Sequence, residues 1–381
     1  MDLTAPSAVA PRAGTVPRGL APAGVVLTGT LLSLFGASWD LEWHNDVGPD
    51  TFFTLSHLLM YAGSAVAGLG SLVVVLRTTA RQRAGLPIDP VVGGGAVGVF
   101  GRTFSAPAGY LVAGCGAASF LLYGLWDQWW HGIYGFDAEI GSPPHVGLLL
   151  SISVTLTGAL MIFASARRQT WGVVGTILAA GALFAFSMIT AYATKELPTG
   201  AVNAFDVVTA FLAVVVVMTG SFVLDRRGAA FAVTAVVAVL QAILWPYSES
   251  ATVWYARVEG LPMRDYLDPS PLHASMIPFV LLAVGAIIEA ALGRAPAWLA
   301  GLVGGAIIGA CAPVQSAWLA HQPLPGLTVV AATAVAAAAA GAVGGFLSLR
   351  FGTMLSRLAP GAGHPVSGSA NGSTTPEVNH A

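Results

Sequence analysis

Charge is what this chain has least of. Asp, Glu, Lys and Arg make up 9% of its 381 residues, against a hydrophobic share of 55%, whereas a soluble domain carries about 25% charged residues. That scarcity excludes a water-soluble globular enzyme, and the lack of any basic stripe excludes a nucleic-acid partner. Cysteine is nearly missing as well. Cys115 and Cys311 are the two present; both fall inside apolar runs and read as small packing residues, with no disulfide or thiolate centre. A nucleotide-binding glycine loop, a c-type haem motif and a Ser/His/Asp arrangement are all absent.

What fills the chain is apolar sequence in runs of about 20 residues, the length that crosses a bilayer. Ten spans are expected, near 20–41, 54–76, 107–130, 144–166, 170–192, 203–224, 229–247, 271–292, 297–319 and 326–349. The expected fold is an all-α polytopic membrane protein of about ten transmembrane helices, arranged as repeated helical hairpins. Residues 1–19 and 358–381, rich in Pro, Gly, Ala and Ser, read as disordered tails. The first apolar stretch lacks a small-residue cleavage site and reads as a retained span, not a signal peptide. Asn371-Gly372-Ser373 matches a glycosylation pattern but lies in the tail, so it is set aside.

The basic residues orient the threading. With both termini on one side, Lys195, Arg257 and Arg264 face the other, and the remaining 13 of the 16 Lys and Arg residues lie on the terminal side. By the positive-inside bias, the termini are cytoplasmic and the membrane is the cell's inner or plasma membrane. That threading sends the polar residues of the first four spans to the outer face.

Those residues form a motif written twice. Trp39-Asp40-Leu41-Glu42-Trp43-His44 is followed thirteen residues later by His57; Trp126-Asp127-Gln128-Trp129-Trp130-His131 is followed fourteen residues later by His145. Asp and His four apart share one helix face, and a His opening the next apolar run comes back to meet them. A lone interfacial His or Trp is ordinary belt material. An Asp within a span is costly in lipid and is almost always paired or bound to a cation. Two Asp-His-His sets at nearly equal spacing therefore read as metal pockets: Asp40, His44 and His57, then Asp127, His131 and His145. Imidazole with one carboxylate suits copper, zinc or iron. Asp50, Ser56, Asp137 and Glu139 are candidates to support the ligands, and Trp43 and Trp130, with neighbouring aromatics, to line the cavity.

The first copy closely resembles the signature of the C subunit of the particulate methane and ammonia monooxygenases. The likeness runs through Asp40-Leu41-Glu42-Trp43-His44, Asp50-Thr51 and Phe53-Thr54-Leu55-Ser56-His57. In that family such an Asp, His and His hold a copper ion within the membrane. A neighbouring copper site there is formed by Asn, His four on and His fourteen beyond, with Pro two before the last. Asp127, His131, His145 and Pro143 match that spacing, with Asp127 replacing the neutral Asn. The resemblance covers about residues 20–166 and implies copper as cofactor, zinc being the alternative metal. It also implies oxidation of a small hydrocarbon or ammonia by dioxygen, and assembly with other monooxygenase subunits; a homo-oligomer is the other expectation.

Residues 167–357 add six further spans. Trp245-Pro246-Tyr247 ends a span, a charged loop is expected over 248–270, and His273 starts the next span. This third hairpin reads as a degenerate copy, structural or lid-forming. Gly301, Gly304, Gly305, Gly309 and the Ala/Gly run 331–345 read as close-packing helix surfaces. Two other function classes stand beside the oxidative one: a copper or zinc acquisition and transfer protein, and a structural membrane subunit. A conduit needs polar groups along the spans. Ser151, Ser153, Thr155 and Thr157 are the few available, and hydroxyls of this kind bond readily to their own helix.

Overall fold

The computed structural model describes residues 17–89, 92–135, 141–265 and 270–358. Ten segments among them are helical, long and apolar enough to cross a membrane; the chain is an all-α multi-pass membrane protein. In order, the elements are α1 (Leu20–Asp46), α2 (Leu55–Arg83), β1 (Ala96–Val99), β2 (Phe104–Pro107), α3 (Ala108–Tyr134) and α4 (Pro143–Ser165). There follow α5 (Thr170–Tyr192), α6 (Ala204–Leu224), α7 (Ala229–Glu259), α8 (Leu272–Met276), α9 (Leu281–Ala291), α10 (Ala297–Leu319) and α11 (Leu327–Ser356). Most of the expected tails, and also Asp137, Glu139 and Asp268, lie outside the described residues.

Small residues set the helix spacing. A Cβ on Gly63 of α2 would stand 2.5 Å from the Gly29 carbonyl and the Ser33 amide of α1. One on Gly158 of α4 would stand 2.3 Å from the Ala113 amide of α3. Without side chains between them the backbones of each pair close up, as small residues allow in lipid. The same device joins α10 to α11 at Gly301, Gly305, Gly341 and Gly345, as the glycine pattern suggested. Helix α1 lies at the centre of this packing, against α2, α4, α5, α7 and α8.

The structure departs from the sequence reading in three places. The loop expected over 248–270 is helical as far as Glu259, because α7 continues through Pro246. A proline costs one helical hydrogen bond, but the turns beyond it are held on α1. Ser248 Oγ meets Ser38 Oγ at 2.9 Å, and Tyr255 packs on Trp39 and Trp43 at centroid distances of 5.7 and 4.8 Å. The eighth span is broken into α8 and α9 around Pro278. Gln241 Nε2 donates to the freed Ala274 and Ile277 carbonyls at 2.8 Å, and Gln315 Nε2 to those of Ser275 and Ile277 at 2.9 and 3.0 Å. The break thus leaves these carbonyls satisfied away from water, as the bilayer interior requires. Lastly, the connection from α2 to α3 carries an antiparallel hairpin, β1–β2, tied to α2 by a 2.9 Å bond from the Ser105 amide to Thr79 Oγ1.

Candidate metal centre

Each Asp-His pair lies on the last turns of a membrane-length helix. Asp40 and His44 end α1, and Asp127 and His131 end α3. The third group opens the returning helix: His57 is in the first turn of α2 and His145 in the first turn of α4. Local chemistry sets those two starts. Thr54 Oγ1 accepts the Thr51 amide at 2.7 Å just before α2, and α4 begins with Ser142 at its N-cap and Pro143 in the first turn, a favoured opening.

The imidazoles are oriented by groups that can only accept. His44 Nδ1 donates to the Asp40 carbonyl at 2.9 Å, His57 Nδ1 to the Thr51 carbonyl at 2.8 Å and His131 Nδ1 to the Gly135 carbonyl at 3.0 Å. A carbonyl has no proton to give, so Nδ1 carries the proton and Nε2 is turned to the carboxylates. This is the arrangement by which proteins prepare imidazole for a metal. The fourth ring, His145, pairs Nδ1 with Ser142 Oγ at 2.9 Å.

In the first copy, His57 Nε2 lies 3.0 Å from Asp40 Oδ1 and 3.3 Å from Asp50 Oδ2. His44 Nε2 is 3.1 Å from the same Asp50 oxygen. Ser56 Oγ donates to Asp40 Oδ1 at 2.8 Å. In the second copy, His131 Nε2 is 3.3 Å from Asp127 Oδ2 and His145 Nδ1 is 3.6 Å from Asp127 Oδ1. Donor atoms of Asp127, His131 and His145 all fall within 4.8 Å of one another. Asp127 Oδ1 is buried with no hydrogen-bond partner, a costly state that a cation would relieve. A deprotonated Nε2 and a carboxylate oxygen repel at these distances. Contacts of this kind require positive charge between them, supplied by protons on the rings or by a metal ion. The converging donors of Asp127, His131 and His145 therefore fit copper or zinc, whereas among the described residues Asp40, His44 and His57 do not bring their donor atoms together as closely.

Both copies face one cavity of about 290 Å³. Asp40, His44, His57, Asp127 and His145 all line it, while His131 is not part of the lining and contacts Asp127 at 3.3 Å. Its apolar wall is Tyr61, Phe120, Leu148, Leu149, Ile152 and Ile189, and Arg264 and Leu272 also contribute. Here the expected lining is corrected. Trp43 is 1% exposed and packs on Tyr255, with its indole donating to the Pro49 carbonyl at 2.9 Å. Trp130 stacks on Tyr134 at 4.5 Å. Neither tryptophan lines the cavity: Trp43 is taken up by Tyr255 and Trp130 lies against Tyr134.

Tyr61 and Arg264 were missed in the sequence. Tyr61 was legible in principle, one turn beyond His57 on the same face of α2 and stacked near that ring at 6.2 Å. Arg264 had no local signal. It reaches the cavity because its amide donates to the Asp46 carbonyl at 2.8 Å and its guanidinium to the Asn45 carbonyl at 3.1 Å, docking the segment after α7 over the end of α1. The third hairpin thus covers the site's edge without supplying a ligand from His273, which is buried and bonded to the Ala185 carbonyl at 2.8 Å. Compared with protein-family models, curated proteins and solved structures, the chain matches none.

Proposed function

We propose that the chain is a copper-holding membrane protein in which two Asp-His-His sets serve one cavity. We further propose that it oxidises a small apolar molecule or ammonia with dioxygen, as its likeness to the C subunit of copper membrane monooxygenases implies. The observation that carries this reading is the shared cavity: two motifs 87 residues apart bring both carboxylates and three of the four imidazoles to the same 290 Å³ space. Copper, when bound, supplies the one-electron redox chemistry that dioxygen activation needs. The chain's part is to hold and shield. Asp40, His44 and His57 would hold one ion, and Asp127, His131 and His145 the other. The backbone carbonyls of Asp40, Thr51 and Gly135 fix the rings, and Tyr61, Phe120 and Ile152 keep the wall apolar for a small substrate. Monooxygenation consumes two electrons with each dioxygen, so a membrane reductant or partner subunit would have to deliver them. The positive-inside bias supports a cavity on the outer face.

Metal transfer through the chain is the weaker reading. Ser151, Ser153, Thr155 and Thr157 all donate to carbonyls of their own helix at 2.7–3.0 Å, so these hydroxyls do not form a polar track towards the cytoplasm.

The test is metal content in nanodiscs after copper and after zinc loading. Wild type is expected to hold two ions, with Asp40→Ala/His44→Ala and Asp127→Ala/His131→Ala each losing one. Equal trace binding by all three proteins would reduce the motifs to structural ion pairs.

A further inference from the structure

Beside the cavity lies a larger space that the Asp-His-His reading leaves unused, a groove of about 830 Å³ between α2 and α3. Tyr61 and Phe120 belong to the walls of both. The floor of the groove is made of small residues. Gly68 stands so close to α3 that an added Cβ would fall 2.9 Å from Ala117 Cβ. Its rims are large and exposed: Leu69 and Leu72 on α2 and Leu121 and Leu125 on α3, each 48–70% accessible. The Ser64 hydroxyl meets Ser33 Oγ at 3.5 Å and the Tyr110 hydroxyl is buried, so the groove offers a ligand little but hydrocarbon. An open trough between apolar ridges suits a flexible chain, where a compact molecule would need an enclosed site.

One end of the groove is basic. There the β1–β2 hairpin lies against it through Val99, Phe100 and Phe104, and Phe100, at the turn, is 82% exposed. Arg102 follows in the same turn, and Arg83 Nη2 donates to the Thr103 carbonyl at 2.7 Å, so two exposed guanidinium groups stand beside the hairpin. Arg83 also continues the groove-facing stripe of α2 through Leu72, Val75 and Thr79, whereas Arg77 and Arg81 fall on other faces of the helix. Between Asp50 and Asp127 the sequence holds these four arginines and one carboxylate, Asp89, which pairs with Arg18 at 3.7 Å. The positive-inside bias puts this end at the cytoplasmic surface, where an exposed aromatic ring fits the headgroup boundary. From Val75 to Tyr61 the groove follows α2 for about 21 Å, more than the roughly 15 Å that one leaflet of the hydrocarbon core fills. An acyl chain entering at the arginines therefore lies in the groove over its whole length.

We infer that the α2–α3 groove is a binding site for one anionic phospholipid of the cytoplasmic leaflet. One acyl chain lies between the helices and the phosphate sits at Arg83 and Arg102, since guanidinium matches phosphate oxygens in geometry and charge. Arg83 has five N–H donors and gives one to the hairpin, which leaves donors for a headgroup. A net negative headgroup gains from both arginines, and a zwitterionic one, carrying its own cation, gains less. The tail runs to Tyr61 and Phe120, so the bound lipid backs the wall of the metal cavity and seals the seam between the two motif-bearing hairpins.

The experiment places the full chain in phosphatidylcholine nanodiscs with a trace of phosphatidylglycerol that carries a photoreactive diazirine at the end of one acyl chain. After illumination, attachment sites are mapped by mass spectrometry. Wild type should be labelled chiefly around Tyr61, Leu69, Phe120 and Leu125, and unlabelled phosphatidylglycerol should compete at least about fivefold better than phosphatidylcholine. Arg83→Gln/Arg102→Gln should erase that preference, while Arg77→Gln/Arg81→Gln, which removes the same charge, should retain it. Ala118→Phe, at an exposed position of the groove, should cut labelling there and leave labelling of α11 unchanged. Wild-type labelling spread evenly over α2, α3 and α11 overturns the inference, as does groove labelling for which the two phospholipids compete equally. Equal losses from both arginine pairs also overturn it, because the effect would then belong to general surface charge. The wild-type competition needs no variant, so a substitution that fails to fold does not shelter the inference.

Discussion

His57 Nε2 stands 3.0 Å from Asp40 Oδ1 across two different helices, and Ser56 Oγ, one residue earlier on α2, donates to that same oxygen at 2.8 Å. One carboxylate therefore receives two consecutive residues of the neighbouring helix. Its other oxygen is left for His44, 3.7 Å away on its own helix. The contact is as much a clamp between α1 and α2 as a feature of the site, and it makes the site sensitive to residues that never touch an ion.

Ser56→Ala removes a donor that orients Asp40 while leaving every proposed ligand in place. Loss of such a supporting bond costs about 10–100-fold in metal affinity. The first-site isotherm in a copper titration should shift by that factor with the second unchanged. An unaltered first site would mean that Asp40 is oriented by the imidazoles alone.

Asp127→Asn places a neutral amide at the second set, as the proposed likeness to the copper membrane monooxygenases would have it. The variant keeps the shape of the side chain and removes its charge, facing His131 at 3.3 Å and His145 at 3.6 Å. Divalent affinity should fall at the second site by about tenfold or more, with Zn(II) the cleanest probe because it has no redox change. Equal affinity in the two proteins would show that the charge of Asp127 is not used to hold a cation.

Much of this arrangement was legible in the residue order, and the failures have identifiable causes. Span positions followed from hydrophobic run length, and the Asp-His stripes from four-residue spacing, because both are local properties of one helix. The shared cavity was not legible, since it depends on how the α1–α2 and α3–α4 hairpins pack, which Gly63 and Gly158 decide through contacts between helices. Pro246 misled for a related reason. Its local cost was visible, but the offsetting contacts of Ser248 and Tyr255 with α1 join residues some 210 positions apart. The aromatics near the motif were assigned to the cavity by proximity in sequence, yet neighbours on a helix face different directions, and Trp43 went to α7.

Glu42 shows the same long reach. It is 3% exposed, and its Oε2 accepts the Leu272 amide at the start of α8 at 2.7 Å. Glu42→Ala strands that amide and should destabilise by about 1–3 kcal/mol, read as a lowered midpoint of thermal unfolding in detergent. Glu42→Gln keeps an acceptor and should lose less. Should alanine and glutamine variants melt together, the bond to α8 is not what holds the helix end.

Gly63→Ala tests whether helix spacing sets site geometry. The added methyl would meet the Gly29 carbonyl and the Ser33 amide and hydroxyl at 2.5 Å, mostly backbone that cannot turn aside. Overpacking of this kind costs about 1–3 kcal/mol. Pushing α2 off α1 six residues below His57 also draws that ring away from Asp40, so first-site copper affinity should fall along with the unfolding midpoint. Gly24→Ala is the control. It is on α1 with no atom within 4 Å of the new methyl, and helix propensity favours alanine there by about 1 kcal/mol, so its stability should hold or rise and both metal sites should titrate as in wild type. If Gly63→Ala lowers stability but leaves the first site untouched, the His57–Asp40 contact is maintained by the α1–α2 loop, with Asp50 and Thr51 as its anchors, and the helix spacing below it matters only to the fold.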